Sequence, residues 1–250
     1  MLDQQTVNKL RELKLEGMAQ EFRRQEETPE YSAMTFEERL GFLVDYEWTC
    51  RRNRLVKRLL STAKLKDVGA CLEDMDYTTP RGLDRKLITR LAGPDWIAQH
   101  QNVVVTGPTG VGKSFIGCAL GNMACRLGYS TRYYRVTRLL TEIAASHGDG
   151  TYISKMNNIK KLDLLILDDW GINPFTKKEG SELFEIIEDR SLLKSTVIIG
   201  QIPEKDWHSL LPDPTVADAI IDRFIHTAYH IHLTGDTMRR IKAKNLPPQE

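Results

Sequence analysis

The chain has 250 residues, of which 41% are hydrophobic and 28% charged, enough for one large domain or a core domain with a small appendage and too apolar for disorder to be the default. Lys and Arg number 35 against 34 Asp and Glu, a formal net charge of +1. A basic coat over the whole molecule is thereby excluded, and any nucleic-acid site has to be a local patch.

Residues 1 to about 66 read as helical, rich in Leu, Glu, Lys, Arg and Gln, with Pro29 alone as a breaker. Two or three helices fit: one over about 3–27, and a second opened by the capping-box pattern Thr35-Phe36-Glu37-Glu38 and running through 36–66 with or without a break. On a helical wheel Trp48, Leu55, Val56, Leu59, Leu60 and Ala63 share one face. Arg51, Arg54, Lys57 and Arg58 share the other, and no acid lies between Glu47 and Asp67, so these four are candidate phosphate contacts. Asp74, Asp76, Thr78, Thr79, Pro80 and Gly82 mark a loop, and a short helix over 83–92 ends at Gly93-Pro94. The expected organisation is a helical domain at 1–70, a linker at 71–101 and a second domain at 102–250.

From residue 102 strands and helices alternate. Strands are expected at 102–106, 131–136, 162–167, 195–200 and 229–233, and helices at 113–127, 137–146, 152–160, 178–193, 204–210, 215–226 and 236–244. Continuous apolar strands separated by helices predict an α/β fold, a parallel sheet covered on both faces. No stretch reaches the roughly 18 apolar residues of a membrane helix, and the start MLDQQTVNKL has no secretory pattern. Cys50, Cys71, Cys118 and Cys125 form no CxxC pair, which fits reduced thiols in a cytoplasmic protein.

The chemistry concentrates after the first strand. Gly107-Pro108-Thr109-Gly110-Val111-Gly112-Lys113-Ser114 is a complete GxxxxGK[ST] between a Val-rich strand and the helix at 113–127, the context in which that pattern cradles phosphates, and Phe115 just after it is a further candidate nucleotide contact. Backbone N–H groups and the helix N-terminus make the anion site, Lys113 adds a charge for the β/γ-phosphates, and the Ser114 hydroxyl suits Mg²⁺. A buried strand ends in Asp168 and Asp169. Asp168 is the candidate partner of Mg²⁺ or its water, and Asp169 is placed to deprotonate an attacking water. The strand at 195–200 ends in Gln201, which reaches the γ-phosphate if that strand lies between the other two. Asp222-Arg223-Phe224 and Thr237-Met238-Arg239-Arg240 offer arginines of the kind that sense or neutralise a γ-phosphate.

Together these segments resemble the AAA+ ATPases of the helicase-loader and initiator group. The match is closest to IstB-like transposition helpers of bacterial insertion sequences, through LLILDDWG, EKDWH after Pro203, ADAIIDRFIH at 217–226 and GDTMR at 235–239. The resemblance spans nearly the whole chain. It implies an AAA+ P-loop core of five parallel strands flanked by helices, the P-loop strand central, behind a small helical N-terminal domain. It implies ATP and Mg²⁺ as cofactors and ATP hydrolysis, with ATP between subunits, Gln201 as sensor 1, Arg223 as an arginine finger reaching the neighbour's ATP and Arg239 as sensor 2. It implies ATP-dependent self-assembly on duplex DNA without sequence preference, and recruitment or stimulation of a cognate transposase in the bacterial cytoplasm. Candidate DNA contacts beyond the N-terminal four are Arg132, Arg135, Arg138, Lys155, Lys160 and Lys161. Asp169 stands where many AAA+ proteins carry Glu, which fits slow, switch-like hydrolysis. Only about ten residues follow Arg240, too few for a full helical lid, so sensor 2 rests on less than the P-loop does. Two other readings share the P-loop: a replicative helicase loader, expected to prefer single strands, and a monomeric small-molecule kinase, against which Asp168-Asp169 and Arg223 speak.

Overall fold

The computed structural model describes residues 2–226, 228–238 and 240. The chain divides into two units, Met1–Arg58 and Leu59–Glu250.

In the first unit the helix expected over 3–27 is two helices, α1 (Leu2–Glu12) and α2 (Glu16–Glu27). Lys14 takes φ +59° and the Leu15 N–H returns to the Leu10 carbonyl at 2.8 Å, a left-handed helix stop made without glycine. α3 (Phe36–Ala63) follows as one unbroken helix. Its start is the expected capping box: the Thr35 N–H donates to Glu38 Oε2 at 2.8 Å and the Glu38 N–H to Thr35 Oγ1 at 3.3 Å. Gly17 lets α2 approach α3 closely, since a Cβ there would stand 2.8 Å from Glu47 Cα. Of the residues that share the apolar wheel face, Trp48 and Leu55 are exposed, whereas Leu59 and Ala63 are buried. Leu59, Ala63, Leu65 and Ala70 join the core of the second unit, so packing divides the chain nearer residue 58 than 70.

In the second unit the last residues of α3 and a 3₁₀ turn at Leu72–Asp74 are followed by α4 (Arg85–Leu91), capped by Asp84, and the one-turn α5 (Asp95–Ala98), which the sequence pattern did not signal. Trp96 and Ile97 are buried, so part of the expected linker is core. The strands are β1 (Asn102–Thr106), β2 (Thr131–Arg135), β3 (Leu164–Trp170), β4 (Ser195–Gly200) and β5 (Ala228–His232). All pair in parallel, in the order β2-β3-β4-β1-β5. The P-loop strand β1 is therefore one place off centre and β4 is the middle strand, a correction to the expected order.

The connections are α6 (Lys113–Leu127), α7 (Val136–Asp149), α8 (Tyr152–Lys161), α9 (Lys177–Arg190) and α10 (Pro214–Ile225), with a 3₁₀ segment at Glu204–Leu210. Period-two alternation sends successive strand residues to opposite faces. Val103, Val105, Ile166, Val197 and Ile199 pack with Ile116 and Leu120 of α6. Val104, Leu165, Leu167 and Ile198 pack on the other face with Leu139, Leu183 and Ile220 of α7, α9 and α10. Two apolar layers of this kind cover both faces of the sheet, and the C-terminal ends of β1, β3 and β4 come together where the chain carries its polar groups.

Candidate functional site

After β1 the chain turns through Gly107, Gly110 and Gly112 at φ +141°, +86° and +102°, conformations that side chains resist. Space is short as well: a Cβ on Gly107 would collide with the Leu233 carbonyl, and one on Gly110 with Thr237 Oγ1. Gly112 caps α6, so Lys113 and Ser114 occupy the first turn of a 15-residue helix. The Lys113 ammonium donates to the carbonyls of Gly107 and Pro108 at 2.7 and 2.6 Å. Burial pushes the Lys113 pKa down, while the charges of Asp168 and Asp169 pull it back up. Val111 is wholly buried and anchors the loop to the core.

Asp168 is 2% exposed, which only a strong set of partners makes tolerable. The Tyr133 hydroxyl donates to its Oδ2 at 2.5 Å, and the Asp169 N–H to its Oδ1 at 2.8 Å. Burial, then the contact with Asp168, pushes the Tyr133 phenol far up, so it stays a donor. Asp169 lies within β3, not in the loop after it. The register with β4 breaks between Leu167 and Trp170, and Asp169 takes φ +63°. A bulge of this kind re-aims side chains, and here it turns two successive carboxylates toward one region. Asp169 Oδ2 meets Arg135 Nε at 3.3 Å.

β4 lies between β1 and β3, as the Gln201 reading requires, and Thr109 Oγ1 donates to Gln201 Oε1 at 2.9 Å. A cavity of about 470 Å³ is lined by Thr109, Gly110, Gly112, Lys113, Ser114, Phe115, Asp168, Asp169 and Gln201. Gly107 and Pro108 are not among the lining residues, but their carbonyls hold the Lys113 ammonium. Lys66, Asp67, Cys118, Ile172 and Met238 also line it and were not singled out by the sequence. Tyr133 was missed too; the inward half of the alternation in Thr131–Arg135 was the signal available for it. The oxygens of Ser114 and Asp168 are the hard donors Mg²⁺ prefers, and both line the cavity that holds Lys113, so this donor set fits that ion.

Arg223 is not at this cavity. It is ion-paired with Glu188 and lies 5.3 Å over the Phe184 ring. Arg239 lies outside the described residues; its neighbour Met238 donates its N–H to the Gly110 carbonyl at 2.9 Å. In the first unit Arg51 pairs with Glu47 at 2.6 Å and donates to the Lys14 carbonyl, and Arg54 stands 3.6 Å from the same carboxylate. Lys14, Arg51, Arg54, Leu55 and Arg58 line one open concavity, and Lys57 is exposed. Lys14 was not singled out by the sequence. In the second unit Arg138 and Lys155 pair with Glu142, and Lys160 with Asp189. Arg132 donates to the Thr62 carbonyl at 2.7 Å, and Lys161 is exposed.

The profile of the IstB-like ATP binding protein family matches residues 8–246. A Sinorhizobium fredii protein described as an insertion sequence ATP-binding protein is 43% identical over 96% of this chain and 98% of its own. The ATP-binding protein of insertion sequence IS1162 from Pseudomonas fluorescens is 44% identical over 81% of this chain and 88% of its own. Among solved structures, DnaI superposes with a TM-score of 0.58 at 23% identity, covering 71% of this chain and 94% of DnaI. The replication initiator DnaA bound to AMPPCP and single-stranded DNA reaches 0.55 at 20% identity over 72% of this chain and 57% of its own. At that identity the likeness is one of fold, a five-stranded parallel sheet flanked by helices. No helix among the described residues is long and apolar enough to cross a membrane.

Proposed function

This chain belongs to the family of IstB-like ATP-binding proteins of insertion sequences, and on that premise we propose that it is an ATP-driven assembly switch that loads onto duplex DNA and recruits or stimulates a transposase. One observation carries the nucleotide half of the reading. Groups some 90 residues apart in sequence, Thr109 and Gln201, are hydrogen-bonded in a cavity that also holds Lys113, Ser114, Asp168 and Asp169.

The P-loop N–H groups and Lys113 bind the triphosphate. Ser114 and Asp168 hold Mg²⁺, which when bound neutralises charge that develops on the transferred phosphoryl group. Asp169 accepts the proton of the attacking water, and Gln201, oriented by Thr109, positions that water at the γ-phosphate. Asp is shorter than Glu by one methylene, which supports slow turnover. Arg223 lies away from its own cavity, which supports action on a neighbour's ATP, and the family resemblance supports Arg239, outside the described residues, as sensor 2. The basic residues of the two units contact the phosphate backbone. Such contacts give little sequence preference and a strong salt dependence.

The test is sizing of the full chain on a random-sequence duplex with ATP, with ADP and without nucleotide, beside a single-strand control. Large complexes on duplex with ATP alone are expected. Assembly confined to single strands would transfer the reading to a helicase loader, and a monomer under every condition would refute both.

A further inference from the structure

Arg81 lies in the stretch expected as a linker, yet it is 4% exposed. Its Nη1 donates to the Val111 carbonyl at 3.0 Å and its Nη2 to the Asp76 carbonyl at 2.9 Å. Its Nε is buried without a hydrogen-bond partner. Both hydrogen-bond acceptors are neutral carbonyls, and the Asp76 charge acts on the guanidinium only through space, so a full charge is held inside the protein without a carboxylate hydrogen-bonded to it. That arrangement costs the fold unless the charge serves something nearby. Burial pushes its pKa down against the pull of Asp76 and Tyr77, but a guanidinium stays charged at neutral pH.

What lies nearby is the P-loop. Val111 is inside it, and a Cβ on Gly112 would stand 2.5 Å from Arg81 Nη1. A trans peptide aims its C=O and the next N–H in opposite directions. With the Val111 carbonyl drawn to Arg81, the Gly112 N–H faces away from Arg81, and Gly112 lines the nucleotide cavity. The Arg81 carbonyl in turn accepts the Thr234 N–H at 2.9 Å, and the Met238 N–H bonds Gly110 at 2.9 Å. Arg81 thus stands where the P-loop, the segment 76–82 and the segment 233–238 meet.

We propose that Arg81 is a positioning residue for the triphosphate: it holds the Val111–Gly112 peptide so that its N–H faces the phosphates, and its buried charge adds to that of Lys113. This rests on the nucleotide-site reading and deepens it. The segment that carries Arg81 is then part of the phosphate cradle and not a tether between domains.

The full-length protein tests this as wild type, Arg81→Met and Arg81→Lys, by calorimetric titration with Mg-ATP and with inorganic triphosphate, at a temperature where a thermal melt shows each variant folded. Arg81→Met is expected to weaken both ligands by the same factor, about 10- to 100-fold, the loss typical of a charge-assisted contact. Arg81→Lys keeps the charge without the fork and should recover part of that loss for both ligands. A purely structural role would lower the melting temperature and leave triphosphate affinity of the folded variant unchanged, which overturns the proposal. So would a loss for ATP alone, which would make Arg81 a contact to base or sugar. If Arg81→Met does not fold, Arg81→Lys decides: unchanged affinity for triphosphate refutes the role. Wild-type protein that binds neither ligand refutes the nucleotide site itself, a result distinct from failure of the Arg81 role.

Discussion

Asp169→Asn separates the chemistry of this carboxylate from its place in the fold. Asp169 sits at φ +63°, a conformation that costs most residues about 1–2 kcal/mol, and Asn tolerates it as Asp does. The substitution also loses the ion pair with Arg135, whose side chain is 54% exposed against 29% for Asp169. At that exposure the pair contributes no more than about 1 kcal/mol. The melting temperature should therefore fall by at most about 2–4 °C. ATP affinity should hold, since Lys113 and the P-loop are untouched. Hydrolysis should fall about 10²- to 10⁴-fold, the usual contribution of a general base, equivalent to roughly 3–5 kcal/mol on the barrier. Single-turnover hydrolysis of labelled ATP, run beside equilibrium binding, measures both. A folded, ATP-binding Asp169→Asn protein that turns over at the wild-type rate would remove Asp169 from the mechanism.

Lys113→Ala should cut ATP affinity by about 100-fold or more, because the loop loses its one cavity-lining ammonium while its dipoles remain; unchanged affinity in a titration would undo the P-loop assignment. Gly107→Ala should destabilise the protein by more than about 2 kcal/mol, since a strained φ and the Leu233 carbonyl both oppose the new Cβ. Gly148→Ala, in α7 with open space around it, should be neutral or stabilising by up to about 1 kcal/mol, and thermal melts of the pair check the contrast. Burial alone would raise the Glu47 pKa, but the Arg51 hydrogen bond and the N–H groups of Met18 and Gly17 hold it below 4.5. A carboxyl depressed in the folded state stabilises above its unfolded pKa, and that stabilisation is lost as pH falls through the folded value. The stability of the first unit should thus drop below about pH 4.5 in the wild type and less steeply in Glu47→Gln. Equal pH slopes in acid denaturation followed by fluorescence would contradict this account of Glu47.

Much of the site was legible because P-loop chemistry is written in consecutive residues. The sequence Gly107–Ser114 dictates its own loop, the apolar run before Asp168 dictates a buried strand, and Thr35-Phe36-Glu37-Glu38 dictates a helix start. The parallel sheet followed from strands with no polar face. Less legible were features that depend on what a residue meets across space. Nothing local marks Lys14 as a helix stop, because a left-handed non-glycine residue is held there by hydrogen bonds from its surroundings. Trp48 and Leu55 share a wheel face with Leu59 and Ala63, but a wheel records direction and not whether a neighbour covers it.

The same division runs through the mechanism. Residue type and spacing along the chain sufficed to propose a triphosphate site with Lys113, Asp168 and Asp169, since each is a property of a few adjacent residues, and motifs spread along the chain sufficed for the family. Only tertiary packing decided that β4 and not β1 is the middle strand, and that Gln201 meets Thr109. Packing likewise placed Tyr133 on Asp168, paired Arg135 with Asp169 and brought Arg81 beneath Val111. Those contacts join residues 30 to 92 positions apart, and their partners are chosen by burial of apolar faces far from the groups themselves.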